Sequence, residues 1–538
     1  MATKYIFVVG GVMSSVGKGV ASASIGKILQ SRGYKVANVK CDMYVNIDAG
    51  TIRPAEHGEV FVGEDGVEAD QDLGNYERFT DQICTRDNYI TTGQVYQEVI
   101  RRERNLEYEG EDVEVVPDIP NEIIKRIKSC QKKNQSDVTI VEFGGTAGEY
   151  QLLLFLEAAR MMKWKEPKNV FFVLVSYLPT PSLLGEQKSK PTQYAVRTLN
   201  SAGISPDFIL CRADKPVSDN IKNTISTVCS LEKDRIISAP DVYSIYDVLL
   251  NFEKENLGEI ILKTIGLKAK KNDLKDWKLF SEKIRNIKNE VTIGIVGKYF
   301  NLKSCRDTYI SVIESINHSA WWHNAKPNIV WLDSEKYENN PENLKELDKM
   351  DGIVVPGGFG KRGTEGMIMA AEYAFQKKIP YFGLCLGMQI MTIAFARRIL
   401  NTKDANSTEF SPKTKNPVIS TMDEQKKLIK EKNYGGTMRL GACPAKLNKK
   451  SLSYEAYQVG EISERHRHRY EFNNNYREVL EKNGLKVAGV NPQRNLVEII
   501  EAEGHPWMVG VQFHPEFKSR PLSPHPLFRE FIKAAINK

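Results

Sequence analysis

The amino-acid sequence predicts an α/β fold of two doubly wound domains in one chain, and three observations carry that expectation. Short apolar runs bounded by glycine alternate with segments of helical spacing, the pattern of parallel α/β architecture. The alternation lapses in a lysine-rich stretch, residues 267–290, and restarts with a fresh apolar run at Val291–Val296. The chain also has 538 residues, more than a single hydrophobic core supports.

The first series of expected strands is Tyr5–Val9, Val36–Val39, Val138–Val141, Val170–Val175 and Phe208–Cys211, with helical spacing over Ser22–Ser31 and Asn121–Ser129. The second series is Val291–Val296, Gly352–Val355, Pro380–Leu384 and Trp507–Phe513. The domains are therefore expected over 1–266 and 291–538, with 267–290 either a partly helical linker of scattered apolar positions or an ordinary solvated helix at a domain edge.

Composition excludes several classes of function. With 41% hydrophobic and 27% charged residues the chain is an ordinary globular one rather than a disordered one. No apolar run approaches the roughly 20 residues of a membrane span, and the start reads as a first strand rather than a signal peptide. The eight cysteines lack CxxC spacing, which argues against a disulfide framework or structural zinc and suits a reducing, cytoplasmic setting. A formal charge of +7 without a basic stripe interleaved with aromatics permits small anionic ligands and gives no footprint for nucleic acid.

The first strand runs into Gly10-Gly11-Val12-Met13-Ser14-Ser15-Val16-Gly17-Lys18-Gly19, followed at once by a helical pattern. Small residues let backbone N–H groups reach phosphate oxygens, the helix N-terminus adds positive potential, and Lys18 adds a point charge. The spacing departs from the usual phosphate-loop motif: Val12 stands where its first glycine would be, and Gly19 replaces Ser/Thr after the lysine. Lys40 ending the second strand, Asp72 in an expected loop and Glu142 closing the strand Val138–Val141 surround this turn. Two carboxylates at strand ends beside a phosphate loop suit Mg²⁺. Each carboxylate alone would read as a surface or capping residue.

In the second half, Phe382-Gly383-Leu384-Cys385-Leu386-Gly387-Met388-Gln389 places a cysteine at a strand-to-helix turn with glycines on both sides. The positive end of the following helix favours a thiolate there. Far downstream, Gln512-Phe513-His514-Pro515-Glu516 supplies a histidine and an orienting carboxylate, the remaining parts of a nucleophilic triad. Upstream, Pro356-Gly357-Gly358-Phe359-Gly360 is a glycine turn suited to presenting a backbone N–H to an oxyanion. Alone, Cys385 would read as a buried structural thiol.

The combination GLCLGMQ, a distant HPE and an upstream PGGFG resembles the class I glutamine amidotransferases. GGVMSSVGKG, His57–Gly66 (HGEVFVGEDG), Asp72–Phe79 (DLGNYERF), Gly185–Gln193 (GEQKSKPTQ) and Glu464–Glu471 (ERHRHRYE) resemble the CTP synthases, in order along nearly the whole chain. The resemblance implies a P-loop-like synthetase domain followed by an amidotransferase domain. It implies that ATP phosphorylates the 4-oxygen of UTP and that ammonia from L-glutamine displaces the phosphate to give CTP. By the same resemblance Ser15, Val16, Gly17, Lys18, Gly19, Lys40 and Asp72 meet ATP, and Asp72 and Glu142 hold Mg²⁺. Ser14, Glu149, Tyr150, Gln151, Lys188, Lys190 and Gln193 meet UTP or CTP. Cys385, His514 and Glu516 are the triad, Gly357 and Gly358 the oxyanion turn, and Gln389, Glu409 and Arg469 the glutamine-recognition positions. Pro54, His57 and Val60 match an ammonia-tunnel constriction, and residues 435–441 match a lid at which GTP acts as allosteric activator. A homotetramer with the UTP site shared between subunits, sometimes stacked into filaments, and CTP as feedback effector complete what the family implies.

The chain departs from the family at Glu149-Tyr150-Gln151, where Asp-Ile-Glu is usual, at Thr224, where a lysine is frequent, and at Met43 and Ala49, which replace prolines. Exchanging a carboxylate for the mixed donor and acceptor of Gln151 is expected to alter CTP inhibition. Two rival readings are an amidotransferase acting on a carboxylate, as in the cobyrinate synthetases, and a non-enzymatic scaffold. The GEQKSKPTQ and ERHRHRYE motifs weigh against the first and the intact chemical residues against the second. A metal site at His466 and His468, which strand alternation puts on one face, fits the amidotransferase context poorly.

Overall fold

A computed structural model describes residues 2–181, 185–298, 305–421 and 438–538. It divides into two compact units, Met1–Ala49 with Asp72–Ser281, and Gly50–Gln71 with Glu282–Lys538.

Among the described residues the first unit holds a seven-stranded sheet. Its order is Tyr89–Thr91, Val36–Asp42, Val138–Phe143, Lys4–Gly10, Val170–Tyr177, Phe208–Ala213, Ile236–Pro240. All of its pairings are parallel. The strands are buried on both faces, so they read as continuous Val/Ile/Phe runs, which is why the sequence betrays them. The first strand lies centrally between Val138–Phe143 and Val170–Tyr177, and its glycine-rich exit opens at the carboxyl edge where doubly wound sheets bind ligands.

The second unit is built on a nine-stranded sheet of described residues. Ala325–Asp333, Asn289–Gly297, Gly352–Val355, Tyr381–Leu384 and Met508–Val511 run parallel. Val497–Ala502, Leu485–Val490, Arg439–Leu447 and Glu461–His468 extend it antiparallel. Strand alternation sends Ile353, Val355 and Tyr381 into one core, and Val354, Phe382 and Leu384 into the other.

Two features differ from the sequence reading. Residues 50–71 belong with the second unit and carry the hairpin Val60–Val62/Glu68–Asp70. There Arg465 and Arg467 of strand Glu461–His468 pair with Glu64 (3.1 Å) and Glu68 (2.8 Å). The stretch 267–290 is not a free linker. It holds helix Lys275–Asn286, and the units divide inside that helix, after Ser281. Leu274, Trp277 and Phe280, three residues apart, form one buried face, with Trp277 stacked on Phe79 at 5.3 Å. Each ring so buried contributes about 2–3 kcal/mol, enough to dock a helix whose other positions are lysine-rich.

Candidate active site

The glycine-rich turn of the first unit adopts glycine-like backbone at residues that are not glycine. Val12 has φ 79° and Ser15 φ 56°, with Gly17 at 89° capping helix Lys18–Ser31. A β-branched residue held at positive φ is strained, and it stands where the usual motif has glycine. The glycine after the lysine lies against a side chain: a Cβ on Gly19 would lie 1.8 Å from Asp72 Oδ1, so a larger residue there requires that carboxylate to move. Asp72 is the first residue of helix Asp72–Thr80, where a loop was expected.

Lys18 Nζ donates to Gly145 O at 2.8 Å. Lys40 Nζ pairs with Asp72 and lies 3.2 Å from Glu142 Oε1, while Tyr76 donates its hydroxyl to Glu142 Oε2 at 2.5 Å. Burial and the Asp72 charge push the Glu142 carboxyl up to about 7 against the pull of Lys40. Burial and the neighbouring Lys40 charge lower Lys18. The cluster thus sets two lysines against two carboxylates beside the glycine-rich turn. Its carboxylate oxygens are the hard donors Mg²⁺ takes, and their mutual repulsion is what a bound cation relieves, so Asp72 and Glu142 fit that ion.

The expected pyrimidine-nucleotide residues are more open. Ser14 and Ser15 are exposed, and Tyr150 is 91% exposed. Gln151 donates to Glu149 at 2.8 Å. Lys188 pairs with Glu186, Lys190 begins helix Lys190–Ser201, and buried Gln193 donates to Ser189 Oγ at 3.0 Å. That helix meets the 145–149 turn where Gly148 faces Thr198. Thr224 is exposed and bonds within its own helix, to Asn220 O.

The thiol centre of the second unit is dense. Cys385 sits between strand Tyr381–Leu384 and helix Leu386–Ile399 with φ 50° and ψ −96°, a strained elbow. The flanking glycines are sterically required: a Cβ on Gly387 would meet Val355 O at 2.1 Å, and one on Gly383 the Gly387 carbonyl at 2.6 Å. A Cβ on Gly357 would meet His514 Cε1 at 2.7 Å and Cys385 Cβ at 3.7 Å, so histidine, thiol and glycine turn converge. His514 Nδ1 donates to Glu516 Oε1 at 2.7 Å, and its Nε2 side is turned to the Cys385 sulfur, which interacts with the imidazole. Burial alone would lower His514, but the charges of Glu516 and Cys385 push it up to about 10.

Around this centre, buried Gln389 donates to Tyr470 O at 3.1 Å, and Glu409 accepts the Gly360 N–H at 2.7 Å. Burial raises Glu409 against the pull of Lys298 and Arg469. Arg469 lies 6.0 Å from the Phe359 ring centroid. A cavity of about 420 Å³ joins Cys385 and His514 to Gly357, Gly358, Pro54 and Val60. His57 is not in its lining; its Nδ1 lies 3.5 Å from Asp70. Of the expected lid, residues 435–437 lie outside the described residues.

Sequence reasoning did not single out Tyr76, Lys298 or Gln512. Lys298 follows strand Asn289–Gly297 and holds the Phe359 and Gly360 carbonyls at 2.6 and 2.7 Å, its ammonium lowered to about 8 chiefly by burial. Its signal was position, a charge at the carboxyl end of a parallel strand. His466 and His468 do share a face, 3.0 Å apart, and burial holds both well below the usual histidine range.

Comparison with known proteins follows the same division. The CTP synthase N-terminus family model matches residues 4–267, and the class-I glutamine amidotransferase model matches residues 304–534. A CTP synthase of Carboxydothermus hydrogenoformans is 50% identical over 99% of this chain and 99% of its own length. One of Methanococcus maripaludis is 48% identical over 99% and 100%. Among solved structures, the glutaminase domain of Trypanosoma brucei CTPS with bound acivicin is 39% identical. It covers 46% of this chain and 94% of that one at a TM-score of 0.43.

Proposed function

The chain belongs to the CTP synthase family, and from that premise we propose how its own residues carry out glutamine-dependent amination of UTP. As a glutamine-hydrolysing ligase it needs an ammonia source and an activated acceptor, and each unit supplies one.

In the second unit the Cys385 thiolate adds to the side-chain amide carbon of glutamine, and the Gly357–Gly358 turn takes the oxyanion. His514, charged at neutral pH beside Glu516, gives its proton to the departing nitrogen as the C–N bond breaks. Ammonia leaves and a γ-glutamyl thioester remains. Neutral His514 then takes a proton from the water that hydrolyses the thioester, giving glutamate and restoring the ion pair. Glu409 and Arg469 carry the charges that meet the substrate's α-amino and α-carboxylate groups. Ammonia leaves through the cavity toward Pro54 and Val60; His57 is a gate only if its side chain turns toward that route.

In the first unit ATP phosphorylates the 4-oxygen of UTP, turning a poor electrophile into one with a phosphate leaving group, which ammonia displaces. Lys18 and Lys40 offset the charge of the transferring phosphoryl group. Asp72 and Glu142 would hold Mg²⁺, which supplies charge neutralisation at the phosphates. Ser15, Val16, Gly17 and Gly19 line the ATP phosphates, and Ser14, Glu149, Tyr150, Gln151, Lys188, Lys190 and Gln193 meet UTP or CTP. A homotetramer in which the UTP site is shared between subunits is part of this reading. GTP activation at the 435–441 segment and a cytoplasmic setting belong to the same reading. The described cysteines are free, and no helix among the described residues is long and apolar enough to cross a membrane.

The observation that carries this function is one cavity lined by the strained thiol, the charged histidine and the Gly357–Gly358 turn, with Pro54 and Val60 in the same wall. The test follows absorbance as UTP becomes CTP with ATP, Mg²⁺ and either glutamine or ammonia. Cys385→Ala is expected to lose glutamine-dependent synthesis by about 10³-fold or more and keep ammonia-dependent synthesis; loss of both, or of neither, overturns the reading.

A further inference from the structure

Gln512 is fully buried two residues before His514, with its backbone N–H on Glu498 O. Its Nε2 lies 3.7 Å from Cys385 Sγ, and its Oε1 lies 3.4 Å from Gln389 Nε2. Gln389 Nε2 in turn donates to the Tyr470 carbonyl at 3.1 Å.

The direction of this chain follows from its far end. A backbone carbonyl only accepts, so Gln389 must turn its NH₂ toward Tyr470. The second hydrogen of that NH₂ meets Gln512, which must answer with its oxygen. Gln512 therefore has only its own NH₂ left to present to the sulfur. One carbonyl on strand Tyr470–Phe472 thus fixes two amides and aims an N–H at the nucleophile. A donor on sulfur stabilises thiolate over thiol and holds Sγ in one rotamer, and burial strengthens both effects.

We propose that Gln512 is a positioning residue for the Cys385 sulfur, oriented through Gln389 by the Tyr470 carbonyl. This rests on Cys385 being the glutaminase nucleophile, and it adds a fourth side chain to the centre.

The test uses the full-length protein and two variants of similar shape: Gln512→Met, which removes the donor, and Gln512→Glu, which puts an acceptor there. Iodoacetamide alkylation of Cys385, followed by intact mass and peptide mapping at pH 7, is expected to slow about tenfold in Gln512→Met and further in Gln512→Glu. The kcat for glutamine hydrolysis is expected to fall tenfold or more while KM stays within about twofold. Variants that melt at the native temperature with native alkylation rate and kcat overturn the proposal. So does an experimental structure of the native protein with Gln512 Nε2 more than 4.5 Å from Sγ, whatever the variants do. Cys385→Ala separates the two claims. If it retains glutamine hydrolysis, the nucleophile assignment has failed; if it loses hydrolysis while both Gln512 variants behave as native, only the present inference has.

Discussion

The glycines at the two centres press against different kinds of neighbour. Gly387 faces the Val355 carbonyl, a backbone oxygen at the end of a central parallel strand, where a Cβ would sit at 2.1 Å. Gly19 faces the Asp72 carboxylate, a side chain at the first position of its helix, where a Cβ would sit at 1.8 Å. The first neighbour cannot retreat and the second can swing. Burial runs the same way. Cys385, His514, Glu516 and Gln389 are all buried, whereas Ser14, Ser15, Tyr150 and Gln151 are exposed. The thiol centre is fixed by backbone before any substrate arrives, and the nucleotide centre is a charged, partly open frame that its ligands complete.

The largest expected effect tests whether the frame is held by charge. Lys40→Met leaves Asp72 and Glu142 without the cation that pairs with both, at a cost of about 3 kcal/mol measured by urea unfolding. The loss is limited because Glu142 takes up a proton readily, and Lys40→Met/Glu142→Gln is expected to recover a good part of it. No recovery would show that Lys40 acts through packing alone.

The glycine contrast comes next. Gly387→Ala should destabilise by about 1–3 kcal/mol and cut glutamine hydrolysis about 100-fold, because the elbow must shift. Gly19→Ala should cost under about 1 kcal/mol, because Asp72 moves aside, yet weaken ATP-dependent synthesis by drawing Asp72 off Lys40. Equal thermal shifts in the two variants would remove the distinction between rigid and adjustable neighbours.

The same distinction decides what the sequence could reveal. Backbone-driven features leave a compositional trace: buried parallel strands as apolar runs, the elbow as GLCLG, the glycine turn against His514 as PGGFG. Val12 shows the limit, since its positive φ is set by the turn around it and no residue type announced it. Of the antiparallel extension, strand Glu461–His468 was legible in the alternation of His466 and His468, whereas Arg439–Leu447, Leu485–Val490 and Val497–Ala502 escaped notice because they mix Lys, Glu and Arg with apolar residues, half-hiding the alternation. The docked helix Lys275–Asn286 was obscured in the same way by the lysines around Leu274, Trp277 and Phe280. The return of residues 50–71 to the second unit rests on ion pairs such as Arg467–Glu68, some 400 positions apart in the chain, which no local pattern encodes.

A smaller effect tests the charge balance of the thiol centre. The folded-state His514 is raised to about 10 against an ordinary 6.5, so its pairing with Glu516 stabilises the fold fully below pH 6.5. That contribution declines as pH rises through 10. The stability gap between the native protein and Glu516→Gln, read by denaturant unfolding, should therefore shrink steadily between pH 6.5 and 10. A gap that stays constant would mean that Glu516 contributes packing and no charge.

The smallest expected effect lies at the open end of the nucleotide frame. Gln151 donates to Glu149 at 2.8 Å, and the Glu149 carboxylate in turn sits against the Gly145 backbone of the phosphate-side turn. Gln151→Glu replaces that donor with a second carboxylate, so the two side chains part and the turn loses a brace. Gln151 is exposed and Glu149 half-buried, a setting where such pairs are worth about 0.5 kcal/mol, so the expected change in CTP inhibition is two- to threefold. Inhibition of UTP amination by CTP, measured side by side for native protein and variant, reads it directly. Coincident curves would show that the exchange of carboxylate for amide at residue 151 is neutral to feedback and that regulation is set elsewhere in the frame.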